Sequence, residues 1–307
     1  MKFAYLMHSY REFDELTETV NQLIRQGDHV FLMINDDDLR DKVYFVYAES
    51  NKVHISHTQE FAQEGDLSMA RGTILQMKEA VEREDVQFDY YINLTDAMMP
   101  LKSREEIVDY LSQHPGNYFY IDRDETQDPT LRKKFESYYT MTNALSFRKG
   151  KITRGVTKGT AKLYHAMNIR RKVNDKIYIG SPYFILNHKA ATILTNNYPY
   201  VSETFKLSWY AEEMYIPMMF EKWLNIEDHI NDDLRALGPD GSWVESSAPI
   251  AITRDALNAK PNALFGGQIS TEFDVALYED YFDIYNINYH KEKEAEKERE
   301  IKVFTTK

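Results

Sequence analysis

The chain has no cysteine, which excludes disulfides, thiolate metal sites and thiol nucleophiles and is compatible with a reducing compartment. It also lacks any apolar run approaching the ~20 residues that a membrane-spanning helix needs. The opening KFAYLMHSY carries its hydrophobic residues straight into a strand pattern, with no secretory leader before it, so a soluble, cytoplasmic protein is expected. The glycine-rich dinucleotide fingerprint and the GxxxxGK[ST] phosphate loop are both missing, which argues against a dehydrogenase or a P-loop enzyme. Excess positive charge is missing as well. With 37 Lys and Arg against 49 Asp and Glu, the net charge is −12, and no nucleic-acid partner is expected.

What is present is an alternation of strand and helix patterns long enough to bury a substantial core across 307 residues. Phe3 to Met7 reads as a strand, and Phe13, Leu16, Val20, Leu23 and Ile24 mark one helical face closed by Gly27. Val30 to Ile34 is the next strand, and short strands are expected at Val43 to Tyr47 and Val53 to Ser56. A helix through Met69, Ile74, Met77 and Ala80 leads to a buried strand, Tyr90 to Leu94. Ser103 with Glu106 forms a capping box for another helix, and Tyr118 to Ile121 is again a strand. This pattern predicts an α/β fold with a mostly parallel central sheet flanked by helices, and ligands beyond the carboxyl ends of the strands. The polar residues at those ends are His8, Asn35 to Asp38, Thr95 with Asp96, and Asp122 to Glu125.

Between Asp128 and Asp175 the hydrophobic period weakens, which predicts a long excursion able to form an acceptor wall or lid. It carries basic islands at Arg132-Lys133-Lys134 and at Arg148, Lys149, Lys151, Arg154 and Lys158. These are either solvated loop charges or contacts for a substrate phosphate or an anionic membrane surface. The C-terminal HKEKEAEKEREIKVFTTK reads as a solvated helix and tail.

Two further segments carry chemistry. IYIGSPYFIL, residues 177–186, is a strand interrupted by a Gly180-Ser181-Pro182 kink where backbone can approach a ligand, and Asn187 can cap a helix after it. SWYAEEMYIPMMF, residues 208–220, sets Glu212 and Glu213 among Trp209, Tyr210 and Tyr215. One reading makes the two acids the start of a helix beginning near Pro217, complementing its dipole. The other makes one of them a partly desolvated general base beside aromatic faces suited to sugar rings.

Three motifs carry a family resemblance: DYYINLTDAMMPLKSREEIVDYL at residues 89–111, GSPYFIL at Gly180 to Leu186, and AEEMYIP at Ala211 to Pro217. In order and spacing they resemble the core-2/I-branching glycosyltransferases, the group of β-1,6-N-acetylglucosaminyltransferases and peptide xylosyltransferases, over roughly residues 1–275. The resemblance implies a glycosyltransferase-A-like fold and an inverting transfer from a UDP-sugar, with N-acetylglucosamine the expected sugar, to a glycan acceptor without a catalytic metal. By position it makes Glu213 the catalytic base and Asn35 or Asp36 the nucleoside contact. The donor site then draws on His8, Asn35, Asp36, Thr95, Asp96, Arg254, Lys260 and Gln268. The acceptor site draws on Glu125, Arg132, Gly180, Ser181, Tyr183, Trp209, Glu212 and Trp243. One catalytic domain spans 1–285, nucleotide-binding to about 125 and acceptor-binding or catalytic beyond it, with 286–307 a charged helix and tail.

The departures are specific. Thr95-Asp96-Ala97-Met98 stands where the family has Ser/Cys-Gly-x-Asp, and Gln268 and Ile250 fall at the Lys and Arg that stabilise the leaving diphosphate. Arg254 and Lys260, with Arg154 and Lys158 from the excursion, are the replacement cations. Two alternatives follow. One is a nucleotide-sugar or glycan-binding protein whose diphosphate machinery has decayed. The other is a transferase that holds Mn²⁺ or Mg²⁺ through Asp36 and Asp38 of the Asp36-Asp37-Asp38 run. The expected acceptor is an oligosaccharide or lipid-linked glycan in bacterial polysaccharide synthesis, with peripheral contact at the inner face of the membrane.

Overall fold

The computed structural model describes residues 1–9, 13–56, 67–139, 151–243, 251–291 and 293–294, apart from the side chains of 151–154. Ile250, Arg148, Lys149 and the tail from 295 lie outside the described residues, as do the side chains of Lys151 and Arg154. The first half of the chain contains β1 (Phe3–Ser9), α1 (Phe13–Ile24), β2 (His29–Ile34), α2 (Asp37–Tyr47), β3 (Val53–Ile55) and α3 (Leu67–Val81). It continues with β4 (Tyr90–Thr95), β5 (Met99–Pro100), α4 (Arg104–Gln113), β6 (Asn117–Asp124) and α5 (Thr130–Glu136). The second half contains α6 (Lys151–Ala166), β7 (Tyr178–Asn187), α7 (His188–Asn196), α8 (Pro199–Thr204) and α9 (Ala211–Trp223). Last come β8 (His229–Ile230), β9 (Arg235–Leu237), α10 (Arg254–Ala259), β10 (Phe265–Gly267) and α11 (Val275–Tyr281).

The main sheet has the order β3-β2-β1-β4-β7-β6-β8, and β7 alone runs against the other six strands. This is the expected mostly parallel α/β sheet flanked by helices. Strands β1, β2 and β4 are buried along their whole length because helices cover both faces, which is why they read as continuous apolar runs. Alternate residues serve opposite layers. Ala4, Leu6 and Phe31 join α3, α7 and α9 in one core, while Tyr5, Met7, Val30 and Leu32 join α1, α2 and α4 in the other. A small sheet, β5-β10-β9, stands beside the carboxyl end of β4.

The local signals hold where they are strongest. Ser103 and Glu106 form the reciprocal capping box of α4, and Asn187 caps α7 by accepting from Ala190 N at 2.9 Å. Val43 to Tyr47 is a correction: it belongs to α2 and not to a strand. Asp36 caps that helix, accepting from Leu39 N at 2.7 Å, and Leu39, Val43 and Tyr47 bury one face at a spacing of four. Tyr44, Phe45 and Val46, which supply the strand-like composition, point to solvent.

The end of the chain is sewn onto its beginning. Asp28, fully buried, accepts from Phe3 N at 3.0 Å, from the Arg104 guanidinium at 2.6 and 2.9 Å, and from the Tyr285 hydroxyl at 2.6 Å. Tyr285 also meets Tyr5 at 2.8 Å. Beyond it Asn286 donates to Gln22 O at 2.9 Å, and Asn288 reaches Glu105 at 3.3 Å, so packing continues past residue 285.

Candidate active site

The carboxyl ends of β1, β2 and β4 converge. Ser9 Oγ donates to Asp96 Oδ2 at 2.7 Å, Asp96 N reaches His8 O at 3.3 Å, and Asn35 N reaches Ser9 O at 3.4 Å. The turn after β4 meets the strand end of the small sheet through Ile269 N and Ala97 O at 3.0 Å. Beside this convergence opens a cleft of about 870 Å³ lined by Asp36, Asp38, Lys42, Gln268, Thr271 and the acids Glu15 and Glu272. Its volume falls within the roughly 300–1,000 Å³ usual for small-molecule clefts. The expected donor residues Asp36 and Gln268 therefore share one wall system. Lys42 and Thr271 were not anticipated, although Lys42 sits one helical turn after Asp38 and that spacing places it on the same side.

His8 is turned away from the cleft, only 4% exposed, with Nε2 at 2.9 Å from Thr73 Oγ1 of α3. Thr73 gives its own proton to Met69 O, so the neutral imidazole donates through Nε2. Burial lowers the His8 pKa to about 4. An unfolded histidine takes up its proton near 6.5, so between about 6.5 and 4 the unfolded chain binds more protons. Stability is full above that window and is lost as pH falls through it. His8→Gln is expected to flatten this dependence by roughly 2 kcal/mol between pH 7 and 5. Chemical-denaturation midpoints measured at both pH values check this, and an unchanged slope in the variant would rule it out.

Glu213 lies in the first turn of α9 and is 5% exposed, while Glu212 is half-buried. The helix begins at Ala211 and not near Pro217, which stands inside it. Pro217 has no N–H to give, so the Glu213 carbonyl loses its helical donor. Tyr215, two residues on from Glu213, faces Thr73, the residue that holds His8. This places the first turns of α9 at the same end of the sheet as the carboxyl end of β1.

The Gly180-Ser181-Pro182 kink is a bulge between β6 and β7. A side chain at Gly180 would sit 1.9 Å from the Tyr120 carbonyl oxygen, so only glycine fits. Asn93 of β4 staples the bulge, donating to Pro182 O at 2.9 Å and accepting from Phe184 N at 2.6 Å. Ser181 faces the Asp233 carboxyl, which burial pushes above its ordinary range. Arg235, fully buried, donates to Asp233 O at 2.8 Å and Asn93 O at 3.1 Å, and burial lowers its pKa to about 10. Sequence inspection missed Asn93, Asp233 and Arg235 because their partners lie in distant segments. Tyr183 is half-buried two residues beyond Ser181, and Trp243 stands edge-on to Tyr120 at 6.4 Å.

Other expected residues are engaged elsewhere. Arg132 binds Glu125 through two hydrogen bonds of 2.6 and 2.7 Å and donates to the carbonyls of Val173 and Asp175, tying the excursion to itself. Trp209 is 5% exposed, packed edge-on to Tyr139 and stacked on Tyr210 at 5.0 Å. Arg254 is exposed and ion-paired with Asp280. Lys260 lines a separate cavity of about 150 Å³ with Arg235 and Asp232. Among the described residues no group of three or more His, Asp or Glu side chains is gathered to hold a metal ion.

Residues 3–249 match the family model of the Core-2/I-Branching enzymes. The chain belongs to this family, a family of glycosyltransferases. The matched span stops before Arg254, Lys260 and Gln268. Among solved structures it is similar to the bifunctional glycosyltransferase WbbM, at 8% identity and a TM-score of 0.39, over 86% of this chain and 45% of that one. The chain thus spans less than half of that relative. It is also similar to mouse xyloside xylosyltransferase 1, at 10% identity and a TM-score of 0.35, over 93% of both chains. Comparison with curated proteins finds no match.

Proposed function

We propose that this glycosyltransferase is an inverting enzyme that takes a sugar from a uridine-diphosphate donor and passes it to a glycan hydroxyl, with Glu213 as general base. The observation that carries this reading is the placement of a buried carboxylate at the same end of the sheet as a donor-sized cleft. One carboxylate suffices: it accepts the proton of the acceptor hydroxyl as that oxygen attacks the anomeric carbon, while the diphosphate departs from the opposite face. The acidic cleft suits the neutral nucleoside, whose ribose and base offer donors to Asp36. N-acetylglucosamine is the proposed sugar. A panel of UDP-sugars, screened for thermal stabilisation and for transfer or hydrolysis, tests the reading. Binding without turnover for every donor would instead support the binding-protein alternative.

Asp36→Asn keeps the helix cap, because Asn caps as well as Asp, but removes the charged acceptor. It is expected to weaken UDP affinity by about 10- to 100-fold with unchanged melting temperature. Calorimetric titration of UDP checks this, and equal affinity would move the nucleoside elsewhere. In a second reading, a divalent cation held by Asp36 and Asp38, two of the four carboxylates that line the cleft, offsets the diphosphate charge. Full activity in excess EDTA supports the metal-free form. Loss of activity that Mn²⁺ restores supports the other.

A further inference from the structure

The helix α6 presents an outward face that no part of the described protein covers. Its Thr157 and Ala161 are buried, Ala161 against Tyr139 and Trp209. Val156 and Leu163, with Met167 one residue past the helix end but still bonded through its N–H to Leu163 O at 3.0 Å, are 44%, 59% and 61% exposed. At 100° per residue these three fall within about 40° of one another, an aligned apolar stripe unlike the scattered singles of ordinary surfaces. The opposite flank of the same outward face carries Lys158 and Lys162, with Gly155 and Gly159 between, all exposed. Ile169, just past the helix, adds a fourth exposed apolar side chain at 42%.

Charge identifies the partner. Residues 151–176 contain eight Lys or Arg and one acid, Asp175, in a chain whose net charge is −12. Lys158, Lys162 and Lys172 are exposed and supply the charge of this face, whereas Arg171 is buried and Arg170 and Lys176 are ion-paired with Glu136 and Asp124. Asp175 is itself bound by Lys222 at 2.6 Å and Tyr200 at 2.7 Å. An anionic surface attracts this face and repels the acidic remainder, so electrostatics selects one orientation. A second copy of the chain would oppose two positive faces, which disfavours self-association through α6.

We propose that α6 docks the protein on an anionic phospholipid surface, the apolar stripe entering the headgroup boundary while the lysines reach phosphates. Lys158 lies over the Trp209 ring at 5.5 Å, and Trp209 and Tyr210 lead directly into the first turn of α9. Docking through α6 therefore brings the Glu213 region next to the bilayer, where a lipid-linked acceptor would present its glycan. The contact itself does not depend on the assignment of Glu213.

The test is co-sedimentation of the full chain with vesicles of phosphatidylcholine containing phosphatidylglycerol, and with vesicles of phosphatidylcholine alone. Binding is expected only to the first and should fall at high salt. The double variants Leu163→Glu/Met167→Glu and Lys162→Glu/Lys172→Glu, the last at an exposed lysine six residues past the end of α6, should each lower the partition coefficient by about tenfold or more, with unchanged circular dichroism and melting temperature. Binding to neither vesicle, equal binding to both, or variants that bind like the parent would overturn the proposal. So would a solution dimer that Leu163→Glu/Met167→Glu dissociates, which would give the stripe to a second copy.

Discussion

Glu213→Gln is expected to lower turnover by about 10²-fold or more while UDP-sugar affinity stays within about twofold of the parent. The amide keeps the shape and a hydrogen-bond acceptor but cannot take the acceptor proton, so the loss falls on the chemical step and not on the ground state. Glu212→Gln, at a half-buried position beside it, should change turnover far less. The measurement is single-turnover transfer at saturating donor, with calorimetric titration of UDP on the same protein. A folded Glu213→Gln enzyme with near-parent turnover would remove Glu213 from the role of base. The assignment would then pass to another carboxylate at this end of the sheet, with Asp96, 1% exposed and bonded to Ser9, the first to be tested.

The second large effect concerns stability. Asp28→Ala is expected to destabilise the fold by about 3–5 kcal/mol, because it leaves the Arg104 guanidinium, the Phe3 amide and the Tyr285 hydroxyl facing an unfilled site. Urea-denaturation midpoints read this directly. The loss should also free the segment after Phe282, so limited proteolysis near residues 283–286 should quicken. A change under 1 kcal/mol with unaltered proteolysis would show that the C-terminal segment is held by its other contacts.

Much of the architecture follows from local pattern. The apolar runs at Phe3, Val30 and Tyr90, the spaced face of α1, the Ser103-Glu106 capping box and the Asn187 cap all act within a few residues, where side-chain period and hydrogen bonding decide the conformation. Val43 to Tyr47 departs from local pattern. There β-branched and aromatic composition suggested a strand, but the Asp36 cap and the burial of Leu39, Val43 and Tyr47 favour a helix. One of the two readings of the Glu212-Glu213 segment, a helix starting near Pro217, also departs from the fold: α9 begins at Ala211 and holds Pro217 inside it at the loss of one helical hydrogen bond.

For the site, motif order was enough to point to the family, and the Gly180-Ser181-Pro182 kink was legible as such, because each of those signals is contiguous in the chain; the roles proposed for Glu213 and Asp36 rest on the same resemblance. What the sequence left open depended on partners far apart in it. Whether Arg132 is free to meet a sugar depends on Glu125, Val173 and Asp175, and the folded chain turns it inward. Trp209 is closed off by Tyr139 and α6, and Lys260 is carried to a cavity separate from the cleft that Gln268 lines. Asp28 gains its importance from residues 3, 104 and 285. Local propensity acts over a few residues and can be read along the chain, whereas charge pairing, burial and the meeting of strand ends are fixed by long-range packing, which exists only once the sheet and its helices have assembled.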